Sequence, residues 1–139
     1  MAIHRLLPLA GKLSSVVYRI PMVGEGLVRA SARLAGTLAF KTPILGGTPS
    51  NHIGQVRDQW LRFLGMVGLK PRVVSVTDGA FEMELDACPY GFSKPEDADL
   101  CDACMDLDRM FVHHLKGRLE ILDRLPQGSP CCRFRLSFR

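Results

Sequence analysis

The sequence predicts an α+β domain: an antiparallel sheet of two hairpins separated by a helix, with N-terminal helices packed on it. Three observations carry this. Apolar residues recur at helical spacing through the first half of the chain. The period then drops to two on either side of Asp78-Gly79, and the same alternation returns at the C-terminal end. Between these two alternating stretches runs one more helical stripe.

The leader comes first. Residues 1–48 form a basic amphipathic helical segment, and residues 49–139 the cysteine-containing α+β body. Arg5, Pro8, Lys12 and Arg19 interrupt every candidate secretory core, and no window offers the ~20 apolar residues of a membrane span. An acid-poor, Arg- and Ser-containing leader also resembles an organelle transit peptide. After Pro21, Val23, Leu27, Ala30, Leu34 and Leu38 fall at helical spacing, while Arg29 and Arg33 lie on another face. This helix is expected to pack on the domain or on a second subunit. The alternative is a basic face resting on an anionic membrane. Residues 1–45 are thus a candidate membrane or protein contact, and a homodimer is one form of it.

The body opens with a helix from "TPSNHIGQVRDQWLRFLGMVGL". Thr48 is the expected cap, Pro49 suits the first turn and Gly68 the end. Ile53, Val56, Trp60, Phe63, Leu64 and Val67 make its apolar stripe. Two strands then meet at Asp78-Gly79. In the second, Phe81, Met83, Leu85 and Ala87 alternate with Glu82, Glu84 and Asp86. A helix is expected from about Pro95 to Leu115, burying Leu100, Cys104, Leu107, Phe111 and Leu115. "RLEILDRL" and "CCRFRLSF" make the closing hairpin, with Arg133, Arg135 and Arg139 on one face. An acidic face on one strand and a basic face on another place these strands on the same side of one sheet.

Composition sets the bounds. A chain of 139 residues builds a core without disulfide staples. Five cysteines, two of them adjacent, do not fit a secreted disulfide framework, which points to a reducing, cytoplasmic setting. The net charge of +4 resides in the leader, where six basic residues face Glu25 alone. No basic run is interleaved with aromatics, which argues against nucleic acid as a partner.

The chemistry concentrates in "ACPYGFSKPEDADLCDAC", residues 87–104. Cys101-x-x-Cys104 at a helix start, with Cys88 at a strand end and Cys132 opening the last strand, can supply four thiolates. Zinc or an iron–sulfur cluster would then be the cofactor. A second reading is thiol chemistry at Cys88, beside Pro89 where a strand breaks into a loop. A third is plain burial, since cysteine is among the most buried residue types. Asp108 follows Cys104 by four residues and can orient a thiol or stand on the helix surface. His4, His52, His113 and His114 fit solvated or capping roles.

"CPY" closing a strand, "LCDACMDLD" opening a helix and "RLPQGSPCCRFRL" closing the sheet resemble the L-2-amino-thiazoline-4-carboxylic acid hydrolase-like family. A more distant similarity is to the four-vinyl-reductase, or hydrocarbon-binding, domain. The resemblance covers roughly residues 51–139. It implies a small cytoplasmic hydrolase opening a cyclic amidine thioether, a small-molecule substrate. Cys88, Cys104, Asp108, Cys132 and Phe134 match family positions, while Cys101 and Cys131 are extra. In that scheme Cys88 attacks or positions water, Asp108 and His114 are acid–base partners, and Arg133 or Arg135 holds a substrate carboxylate. Cross-strand pairing with Glu82 and Glu84 competes for both arginines. The alternative is a non-catalytic metal-binding module for a small ligand, built on Cys88, Cys101, Cys104 and Cys132.

Overall fold

The computed structural model describes residues 5–138, so His4 and Arg139 lie outside the described residues. Helices α1 (Leu7–Tyr18), α2 (Gly24–Lys41) and α3 (Ile53–Met66) precede strands β1 (Arg72–Val76) and β2 (Ala80–Leu85). A 3-10 turn at Pro95–Asp97 leads into α4 (Ala98–Cys104) and α5 (Asp106–His114). Strands β3 (Gly117–Asp123) and β4 (Cys132–Phe138) close the chain. The four strands form one antiparallel sheet in the order β1-β2-β4-β3. This is the expected α+β architecture, with two hairpins joined through β2 and β4.

The β2–β4 register explains the charged faces. Glu84 lies opposite Arg133 and Glu82 opposite Arg135, while Met83 lies opposite Phe134 on the other side. Arg133 and Arg72 both close on Glu84, with Arg133 Nε donating to it at 3.0 Å. These hydrogen bonds, Arg133's first, hold the Glu84 carboxyl below its ordinary range. On the helix-facing side, Trp60, Phe63, Phe81, Phe111, Phe134 and Leu136 form the main core. Helix α3 supplies Val56, Trp60, Phe63 and Leu64, four of the residues its period marked.

Two local details differ from the expectations, the cap of α3 and the continuity of the later helix, while the end of α3 at Gly68 agrees with them. Thr48 does not cap α3: its backbone N–H bonds Gln59, and Ser50 Oγ accepts the His52 N–H instead. The helix ends past Val67 at Gly68, whose φ of +89° is a left-handed position that glycine adopts at little cost. The single helix expected from Pro95 is broken at Met105 into α4 and α5. Asp102 and Asp106 flank that break, and both carboxylates bind the same arginines.

The orientation of α2 is the main surprise. Its expected core stripe faces outward: Val23, Leu27, Leu34 and Leu38 are all more than half exposed. Arg29 and Arg33 turn toward the body, where Asp102 and Asp106 receive them at 3.0 and 2.8 Å. Small residues make this possible. Gly36 approaches α5 so closely that a Cβ there would collide with the Leu107 carbonyl oxygen. Three ion pairs, the buried Val28 and a glycine contact, rather than the leucine stripe, seat α2 on the body.

Candidate functional site

The helix layer and the sheet do not close completely on each other. Between them is a cavity of about 200 Å³. Trp60, Phe63 and Leu64 line it from α3, Met83 and Leu85 from β2, and Ile121, Cys132 and Phe134 from the closing hairpin. The segments after β2 complete the wall with Cys88, Pro89 and Tyr90, then Cys101, Met105 and Asp108. Apolar cavities of this size stay dry or accept apolar guests, because water there finds too few partners.

The loop is set by sequence. Pro89 fixes the second position of a turn in which the Gly91 N–H donates to the Cys88 carbonyl at 3.1 Å. Cys88 is thereby half-buried with its side chain on the cavity wall. Tyr90 packs on Phe92 with ring centroids 5.7 Å apart. All five cysteines are free thiols. Burial pushes Cys101 up to about 12 and Cys104 up to about 11, against an opposing hydrogen bond from Ser14 to Cys104. Burial raises Cys132 as well, and the Leu125 N–H donates to its sulfur at 3.4 Å.

Among the described residues, no group of three or more His, Cys, Asp or Glu side chains is placed to hold a metal ion. This corrects the expectation of a zinc or iron–sulfur centre at Cys88, Cys101, Cys104 and Cys132. The physical reason lies in their surroundings. Cys101 and Cys104 pack with Val28, Phe92, Leu100 and Ala103, an apolar setting that favours the neutral thiol over the thiolate a metal requires.

Polar groups of Trp60, Asp108 and Arg124 interrupt the apolar wall. Trp60 is 1% exposed, and its Nε1 makes no hydrogen bond. Asp108 is buried near it, and burial pushes its carboxyl up to about 6. The Trp60 N–H, the residue's own backbone N–H and the Arg109 charge pull the other way and lose. Arg124 also reaches the wall, but its guanidinium donates to Asp102 at 2.6 Å. Asp102 additionally takes Arg109 at 2.7 Å and Arg29 at 3.0 Å. Burial alone would raise the Asp102 carboxyl; these arginines hold it below its ordinary value.

Of the residues singled out in the sequence, the structure brings Cys88, Cys101, Cys132 and Asp108 to one cavity. It does not bring His114 there. The His114 Nε2 lies 3.2 Å from Thr37 Oγ1, and its ring stacks on Phe40 at 5.0 Å, on the α2 side. Arg133 is committed to Glu84, and Arg135 stands opposite Glu82 and Glu120 on the far face of the sheet. Trp60, Tyr90 and Arg124 were not singled out as site residues. For Trp60 the only signal in the sequence was its place in the stripe of α3, which marks a core residue and says nothing of an idle N–H.

No protein-family model matches the chain, and no curated protein matches it. Among solved structures, the fold is similar to a trafficking protein particle complex subunit 3 from Naegleria fowleri, described as covalently bound to palmitic acid. The TM-score is 0.53 at 11% identity, over 96% of this chain and 95% of that one. That likeness is to a complex subunit and overturns the expected hydrolase. The site agrees: Cys88 and Asp108 share the apolar cavity, but His114 lies away from it on the α2 side, and Arg133 and Arg135 lie on the far face of the sheet. At this identity the likeness shows the fold, an α+β domain shared with a trafficking-complex subunit.

Proposed function

We propose that the chain is a non-catalytic assembly subunit that holds a long apolar chain in the cavity between its helices and its sheet. The observation that carries this is the cavity itself, an interior space of about 200 Å³ whose wall is almost wholly apolar. Each methylene that leaves water for such a space contributes about 0.8 kcal/mol. Two further facts support the reading. The solved subunit with this fold is described as carrying palmitic acid, and the closing hairpin resembles that of the hydrocarbon-binding domain. Mass spectrometry of the protein, native and then denatured, tests it. An apolar molecule released on denaturation, and lost when Ile121→Trp fills the cavity, is expected. An Ile121→Trp variant that is folded and carries the same cargo as the wild type contradicts it.

A separate observation favours assembly. Leu9, Leu13 and Val16 on α1 and Leu27, Leu34 and Leu38 on α2 are each 51–68% exposed, and Ile20 and Val23, where the two helices connect, are 45% and 52% exposed. At roughly 120 Å² for a fully exposed side chain of this kind, these eight offer on the order of 500 Å² of apolar surface. A standard interface takes about 800 Å² per partner, about 65% of it apolar in homodimers. Taken together, this area is about what one side of a stable dimer needs. Arg29 and Arg33 are tied to Asp102 and Asp106, which removes the basic face that an anionic membrane would hold. Among the described residues, no helix is long and apolar enough to cross a membrane. The occupant we assign is a second copy of the chain, packed helix pair on helix pair about a twofold axis. Light scattering coupled to gel filtration is expected to show a dimer, and Leu13→Glu with Leu34→Glu a monomer. A wild-type monomer at high concentration contradicts this part.

A further inference from the structure

The cavity contains one feature that a purely apolar guest leaves unexplained. Trp60 is the only tryptophan in the chain, and its indole N–H is buried without a hydrogen-bond acceptor. An idle buried donor is uncommon, because it forfeits the hydrogen bond it made with water in the unfolded chain. The Asp108 carboxyl lies on the same wall, close enough for the N–H to act on its charge without meeting it in hydrogen-bond geometry. One group offers a donor and its neighbour an acceptor, and both are surrounded by Phe63, Leu64, Met105 and Phe134.

A chemical group that satisfies both must accept one hydrogen bond and donate another. A carboxylate accepts but does not donate, and it would bring a second negative charge against Asp108. An ether or a thioester accepts only. A methyl or methylene does neither. A hydroxyl does both through one neutral oxygen, whereas an amide or a protonated carboxyl does so through two atoms and needs more room between the two groups. We infer that the ligand of this cavity carries a hydroxyl on its apolar body, seated between the Trp60 indole N–H and the Asp108 carboxylate. This rests on the cavity reading proposed above and narrows it from any apolar chain to an alcohol.

The probes are 1-decanol, decyl methyl ether and decanoate, each titrated against the full-length protein at pH 8. Trp60 emission reports binding at the site itself, and calorimetry serves as the second readout. The ether has nearly the shape of the alcohol and keeps its acceptor, but it cannot donate to Asp108. Leaving that buried acceptor unmet is expected to weaken the ether at least about tenfold relative to the alcohol. Decanoate is expected to bind more weakly still. In Asp108→Ala the alcohol and ether should bind alike, and Asp108→Asn, which keeps the side-chain volume, controls for misfolding. Equal binding of alcohol and ether to the wild type overturns this inference and leaves a water bridge in its place, with the cavity reading intact. No binding of any probe overturns both.

Discussion

Replacing Asp108 by Asn isolates the cost of a carboxylate in an apolar wall. The Asp108 carboxyl is pushed up to about 6 from an ordinary 3.8, burial being the main cause. A carboxyl whose folded value is raised binds its proton more tightly in the native state than in the unfolded chain. Stability therefore falls as pH rises from about 4 to about 6, and the full penalty stands above that window. At about 1.4 kcal/mol per pH unit, the gap corresponds to about 3 kcal/mol. The other groups facing Asp108 keep their charge across this range. Arg109 stays cationic, burial pushes Tyr90 far up, and burial takes Cys104 up to about 11. Asp102 and Glu84 are held below their ordinary values and are already ionised. The amide of the variant cannot ionise, so Asp108→Asn should match the wild type near pH 4 and exceed it by up to about 3 kcal/mol at pH 8. Urea unfolding at half-unit pH steps measures this, provided the denaturant slope is unchanged. A difference independent of pH, or a variant less stable at pH 8, would refute the reasoning.

Other consequences follow from packing and charge. Gly36→Ala gains helix propensity of about 1 kcal/mol, but it sets a Cβ against the Leu107 carbonyl oxygen. A net loss of about 1–3 kcal/mol is expected, and a variant as stable as the wild type would show that α2 is not seated there. Asp102→Asn leaves Arg29, Arg109 and Arg124 crowded together. With its side chain 23% exposed, the expected cost is roughly 1–3 kcal/mol at pH 7, shrinking as pH falls below about 4, where the wild-type carboxyl also protonates. Iodoacetamide at pH 8, followed by peptide mass spectrometry, should label the half-buried Cys88 and Cys131 well before the buried Cys101, Cys104 and Cys132. Early labelling of Cys101 would contradict its placement.

Much of the architecture was legible because it rests on local periodicity. The stripe of α3, the Asp78-Gly79 connection and the facing charges of β2 and β4 depend on residues near one another in sequence or on one strand face. The orientation of α2 was not legible for the opposite reason. Periodicity reveals that Leu27, Leu34 and Leu38 share a face, but not whether a core or a partner covers it. The decision came from Asp102 and Asp106, more than seventy residues away from Arg29 and Arg33. The cavity was half legible. Asp108 lies three residues before Phe111 on its helix, a spacing that suits the buried stripe, while a carboxylate suits the surface, so the sequence left both places open. That Trp60 stands beside it with an idle N–H depends on how two elements meet, and no spacing within either one records it. The cysteines misled because close spacing in sequence suggested ligands where burial, not a metal, gathers them.

The most direct test of an interior apolar site is a crystal grown with 1-bromodecane, whose bromine can be placed by its anomalous signal. One bromine per chain is expected inside the cavity, among Trp60, Met83, Ile121 and Phe134. Bromine found only on the exposed leucines of α1 and α2, with the interior unchanged, would contradict an interior site.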